Sequence, residues 1–300
     1  MRIVAIMLMA GAAWAQQMPD PNFDAHVDQP AYRSEHPRVS IDEAHRNFHT
    51  ADGRYKPFAE LLRNDGYEVV AGKQPFSAKS LQPIRVLVIA NALGEGANAG
   101  TNTSPPAFTP AECSAVRDWV RGGGSLLLIS DHTPFGMAAE EMARAFGVRF
   151  GKGFVSAQDA KYIEGNPTVL VFSRENGLLQ DHAITRGRAA GERIDRVVAF
   201  TGQSLGVPEG ASVLMKLADE AREAPARGAQ SVPVSGAQGL AMQFGSGRLV
   251  VLGEAAMMSA QVLKRRGSPD FRMGMNVPGN DDRQFALNVL HWLSGALSPE

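Results

Sequence analysis

An open, mostly parallel α/β sheet is the fold class the sequence predicts, and three observations predict it. Residues 84–90 (IRVLVIA) and 125–130 (SLLLIS) are near-continuous apolar runs, the pattern of strands covered on both faces. A helix signal separates them. Thr109-Pro110-Ala111-Glu112 is a capping box with proline at the first helical position; Cys113, Val116 and Val120 then share one face, and Gly122-Gly123-Gly124 stops the helix. Polar residues also recur just beyond the strands, where open α/β sheets bind ligands.

The remaining elements follow the same alternation. Residues 39–42 read as the first strand, residues 55–65 as a helix with Phe58, Leu61 and Leu62 on one face, and residues 68–71 as a strand after the Gly66 stop. Residues 137–146 read as a helix packed through Ala138, Met142 and Phe146. The second half is richer in strands: 168–172, 196–201, 212–218, 240–244 and 248–252, the last two joined as a hairpin by Gly245-Ser246-Gly247. A helix over 283–293 closes the fold. Residues 220–230, charged and Ala-rich, read as a surface loop, and the sequence shows no internal repeat.

With 300 residues, 44% hydrophobic and 20% charged, the chain can bury one substantial core. A net charge of −1 gives no electrostatic reason to expect nucleic acid or an anionic membrane, so the expected partner is a small molecule. Arg2, the short apolar stretch 3–11 and Ala13-Trp14-Ala15 have the layout of a secretory signal peptide. The expected organisation is a signal peptide over 1–15, an extended leader over 16–36 and one domain over 37–297. The expected location is the periplasm or the extracellular space, without stable membrane insertion after cleavage. Cys113 is the only cysteine, which excludes an internal disulfide; on an apolar helix face it reads as a small core residue.

The densest chemistry is IDEAHRNFHTADGRY, residues 41–55, directly after the first strand. Asp42, Glu43, His45, Asn47 and His49 are candidate ligand-binding residues, together with Asn91 after the 84–90 strand. Asp131 and His132 follow the 125–130 strand, Glu254 follows the 248–252 strand, and these three are the candidate catalytic residues. His45 and His49 are candidate metal ligands, since imidazole beside carboxylate suits a divalent ion such as zinc; the spacing is not HExxH, and a hydrogen-bonded loop is the alternative. The loop 93–108, rich in Gly, Asn and Thr, borders the same edge. His45 and His132 lie outside every predicted packing stripe, so alanine at either is expected to remove binding and leave the fold largely intact.

Other motifs are weaker. Residues 202–206 (GQSLG) match G-x-S-x-G, and Asp281 and His291 complete the order Ser, Asp, His. A nucleophile elbow must run into a helix, whereas Val207-Pro208-Glu209-Gly210 reads as a turn toward a strand. His291 shares a stripe with Gln284 and Asn288 that is expected to face solvent. Residues 94–100 (GEGANAG) have the wrong spacing for a dinucleotide fingerprint, and Gly151-Lys152-Gly153 lacks the Ser/Thr of a P-loop.

In order along the chain, IDEAHRNFHT, FTPAECSAVRDWVRGGGSLLLISDHTPFG, DHAITRG and GSGRLVVLGEAAM resemble the class I glutamine amidotransferase-like superfamily, and within it an uncharacterised bacterial branch related to a domain of gliding-motility and intraflagellar-transport proteins. The resemblance spans residues 37–297. It implies a flavodoxin-like sheet with helices on both faces and a ligand crevice. Active members carry a cysteine nucleophile on the turn after a central strand; here that turn holds Asp131-His132, and Cys113 lies a helix earlier. The expected function is a binding domain without that nucleophile, for a small polar ligand such as a carbohydrate; the alternative is a metal-assisted hydrolase using the same cluster, and in neither case a glutamine amidotransferase.

Overall fold

The computed structural model describes residues 16–264 and 270–298; the segment 1–15, read as a signal peptide, lies outside the described residues. The largest sheet is built from β1 (Arg38–Asp42), β2 (Glu68–Gly72), β3 (Val86–Ala90), β4 (Ser125–Ile129), β5 (Arg149–Phe150), β6 (Leu205–Gly206), β7 (Ser212–Lys216), β8 (Ala237–Phe244) and β9 (Gly247–Leu252). Its order is β2-β1-β3-β4-β9-β8-β6-β5, with β7 also paired to β8. Three long helices accompany it: α1 (Lys56–Asn64), α2 (Pro110–Arg121) and α3 (Asp282–Ser294).

The apolar runs are strands buried on both faces, as their composition requires. Along β3 and β4 alternate residues enter different cores: Val86, Val88, Ala90, Leu127 and Ile129 pack with Phe58 and Leu62 of α1 and Phe285 and Leu290 of α3. Leu87, Ile89, Leu126 and Leu128 pack with Cys113, Val116 and Val120 of α2. This period-two division puts helices on both sides of the sheet. The capping box that opens α2 is present, with Thr109 accepting from the Glu112 amide.

The sheet is mixed, which corrects the expectation of a mostly parallel one. Four of its pairings are parallel, β2–β1, β1–β3, β3–β4 and β4–β9. The pairings of β8 with β9, β6 and β7, and of β6 with β5, are antiparallel, as are the three smaller sheets. The reason is connectivity. A parallel neighbour needs a crossover of a dozen or more residues, usually a helix. Gly245, at φ 62°, turns β8 straight back into β9, and β6 and β7 join the β8 side with no long helix between them.

Four local expectations also change. The helix expected over 137–146 is two short ones, Phe135–Ala138 and Glu140–Arg144, broken at Ala139. Residues 220–230 are not wholly loop, because Arg222–Ala224 is a strand paired to Phe154–Ser156. The leader joins the fold: Gln16–Pro19 pairs antiparallel with Ala260–Lys264, and Phe23, Val27 and Tyr32 pack on the main core. Finally, the Asn288 and His291 stripe of α3 is fully buried. Asn288 donates to the Ile184 and Glu192 carbonyls, each at 2.8 Å, so α3 is covered on a second side.

Candidate functional site

Where β1 ends, the chain folds back so that His45 reaches two carboxylates. His45 Nδ1 lies 2.9 Å from Asp42 Oδ2, and Nε2 lies 2.8 Å from Glu112 Oε1. The Asp42 side chain is fully buried and that of His45 nearly so. The imidazole is flanked by Phe76 and Phe108, ring centres 4.6 and 4.7 Å away. Burial by itself pulls the His45 pKa down, but Asp42 and Glu112 together raise it above the ordinary histidine value, so the charged form is favoured. Glu112 is held at about 2 against the cost of its own burial, by the Thr109 amide, His45, the Thr109 hydroxyl and the Phe76 amide. Asn47 braces this turn by accepting from the His45 amide at 3.2 Å and donating to the Ala90 carbonyl at 3.4 Å.

A second group forms beyond β3, β4 and β9. Asn91 sits at φ 50°, a left-handed conformation tolerated best by Asn and Gly. From there it donates to Asp131 Oδ2 at 2.9 Å and accepts from the Asp131 amide at 2.8 Å. The other Asp131 oxygen accepts from the Ala255 amide at 3.0 Å. Glu254 is buried and accepts from the Ala256 and Met257 amides at 2.6 and 2.8 Å. Burial raises the Asp131 pKa. Burial and the neighbouring Asp131 raise that of Glu254 well above the carboxylate range, so the pair favours holding a proton. Backbone bonds join the two groups: the Phe48 amide donates to the Asn91 carbonyl at 2.9 Å, and the Leu93 amide to the His45 carbonyl at 3.0 Å.

The remaining candidates lie at the margins. Glu43 accepts from the Ala51 amide at 2.9 Å and so holds its own loop. His132 turns aside, its Nδ1 2.7 Å from the Thr133 carbonyl and its ring stacked on Phe154 at 4.1 Å. His49 is buried against Tyr55, ring centres 4.6 Å apart, and its Nδ1 has no hydrogen-bond partner. Among the described residues, no group of three or more His, Cys, Asp or Glu side chains is placed to hold a metal ion. Both ring nitrogens of His45 are committed to carboxylates, and His49 belongs to no such group, so among the described residues the two are not arranged as metal ligands.

Three contributors were not singled out from sequence as site residues. Glu112 was legible only as a cap, although its second oxygen is what reaches His45. Tyr55 donates its hydroxyl to the Ala255 carbonyl at 3.0 Å, next to Asp131 and Glu254. Arg54 lies over the Phe48 ring, 3.7 Å from its centre. The serine motif is structural. Ser204 donates to Glu223 at 2.6 Å and leads into β6 with no helix after it, while Asp281 accepts from the Asp195 and Arg196 amides. His291 pairs instead with Asp65 at 2.7 Å.

No family model matches the sequence, and no curated protein matches it. Solved structures do match in shape. The N-terminal domain of mmIFT52 is 14% identical, covering 86% of this chain and 97% of that one, with a TM-score of 0.61. The likeness is one of fold. ThuA-like proteins from Bacteroides uniformis and Parabacteroides merdae are 13% and 10% identical, each covering 89% of this chain and 93% of its own, with TM-scores of 0.45 and 0.47. The intraflagellar-transport side of the resemblance is thus met, at the level of fold, by the mmIFT52 domain.

Proposed function

We propose that the chain is a glutamine amidotransferase-like domain without a cysteine nucleophile. In this reading it binds a small polar ligand, such as a carbohydrate, beyond the carboxyl ends of β1, β3, β4 and β9, in a protein exported to the periplasm or beyond. One observation carries it: four neighbouring parallel strands end on Asp42, Asn91, Asp131 and Glu254, and hydrogen bonds tie these ends together. Concentrating carboxylates at one edge is costly unless they pair or bind something, and perturbed carboxylates gathered at strand ends favour a functional reading. The order β2-β1-β3-β4-β9 supports reading the parallel half as flavodoxin-like, because numbered by their own succession these strands run 2-1-3-4-5.

The state of the cysteine supports the absence of thiol chemistry. Cys113 packs in the α2 core, and burial pushes its thiol up to about 11, which keeps it protonated near neutrality. Cys113→Ala is therefore expected to cost about 1 kcal/mol of stability and to leave ligand binding unchanged. Calorimetric titration of the purified protein with neutral mono- and disaccharides tests the crevice. Saturable binding is expected, with Asn91→Ala weakening it by at least about tenfold, because Asp131 loses the two hydrogen bonds that hold it at the strand ends. Binding indifferent to both Asn91→Ala and Asp131→Ala would remove the ligand from this edge. Mass analysis of the N-terminus from fractionated cells checks export, and a retained 1–15 segment on exported protein would contradict the signal-peptide reading.

A further inference from the structure

We infer that the crevice ligand carries an oxyanion, a carboxylate or a phosphate, and that Arg54 seats that group. This rests on the strand-end crevice being the binding site. Arg54 occupies the turn into α1, half-buried, with its guanidinium carbon 3.7 Å from the centre of the Phe48 ring. Its Nη1 reaches only the Phe48 carbonyl, at 3.5 Å, and its Nε is buried without a partner. Among the described residues no carboxylate pairs with it. A cation held partly out of water without a counter-charge is a standing cost in the free protein, and an incoming anion would offset it.

A neighbouring donor strengthens the assignment. His49, 3% exposed, also leaves Nδ1 unpartnered. Burial, and then the Arg54 charge, press its pKa to about 3, so near neutrality the ring is neutral with one N–H to give. Hydrogen bonds of their chain neighbours tie both residues to the strand ends. The residue before His49, Phe48, donates its amide to the Asn91 carbonyl at 2.9 Å. The residue after Arg54, Tyr55, donates to Ala255, whose own amide holds Asp131.

The planar guanidinium fork takes two oxygens of a carboxylate or phosphate at once. The acidic pair Asp131 and Glu254 repels such a group and favours hydroxyls or amines. The two ends of the crevice therefore orient a ligand that is anionic at one end and rich in donors at the other.

The test is calorimetric titration at constant ionic strength with D-glucuronate, inorganic phosphate and D-glucose, on wild type, Arg54→Gln and Asn91→Ala. At least one anion is expected to saturate wild type and to bind Arg54→Gln at least about tenfold more weakly. Whichever anion binds names the source of the oxyanion. Arg54→Lys, which keeps the charge and loses the fork, should recover only part of the affinity, and it serves as the reporter if Arg54→Gln fails to fold. The melting temperature of Arg54→Gln is expected to match or exceed wild type, because an unpaired charge has been removed. Absence of saturable anion binding, or equal binding to Arg54→Gln, overturns the inference. D-glucose binding that needs Asn91, with no anion bound through Arg54, overturns it while sustaining the crevice. Anion binding that needs Arg54 and ignores Asn91 sustains the seat and overturns the crevice.

Discussion

Replacing His45 with alanine is expected to destabilise the fold by about 3–5 kcal/mol, the cost of leaving buried charges without their partner. Two carboxylates depend on this one imidazole, and the side chains of His45, Asp42 and Glu112 are 7%, 0% and 10% exposed. For stability the sequence suggests the reverse, a fold left largely intact while binding is removed, because His45 belongs to no packing stripe. Contacts distant in the chain overrule that pattern, since Phe76, Phe108 and Glu112 close over the ring.

The same residues set a pH window with a definite sign. His45 has a folded pKa raised above its usual 6.5, so its contribution is complete below 6.5 and is lost as pH rises through the folded value. Glu112 has a folded pKa of about 2 against the usual 4.5, so its contribution is complete above 4.5 and is lost as pH falls through about 2. Stability from this cluster should therefore peak between pH 4.5 and 6.5. Urea denaturation across pH 2–9 measures it, roughly spanning both transitions. A wild-type curve that keeps rising from pH 6.5 to 9, or a His45→Ala loss below about 1 kcal/mol, would contradict this account.

His291→Ala is expected to cost a similar amount, about 3–5 kcal/mol, without effect on the intrinsic affinity of the folded protein. His291 and Asp65 are each fully buried and 2.7 Å apart. The other Asp65 oxygen accepts from the Ala31 amide at 2.8 Å, and its carbonyl accepts from the Tyr32 amide at 3.2 Å. Removing the imidazole leaves Asp65 buried with only the leader to satisfy it. Denaturation should show the loss, and hydrogen exchange at Ala31 and Tyr32 should quicken. A stability change under about 1 kcal/mol would return His291 to the solvated role its spacing suggested.

Local patterns by themselves determined β1 to β4, α1 and α2, but not the break at Ala139. The runs over 84–90 and 125–130 read as doubly covered strands and are so, and the Thr109–Glu112 cap starts α2 where expected. Strand-end position likewise brought Asp42, Asn91, Asp131 and Glu254 to one edge, because a parallel sheet delivers the carboxyl ends of its strands together. Only the tertiary structure decided which of these polar groups meet. Glu112 carries its own signature as a cap and nothing in it announces His45, 67 positions away. The buried face of α3 was misread because periodicity marks an apolar stripe and is silent on polar side chains that find partners inside, as Asn288 and His291 do. The antiparallel half of the sheet escaped for a related reason: strand direction depends on the path between strands, and a strand's own residues do not encode it.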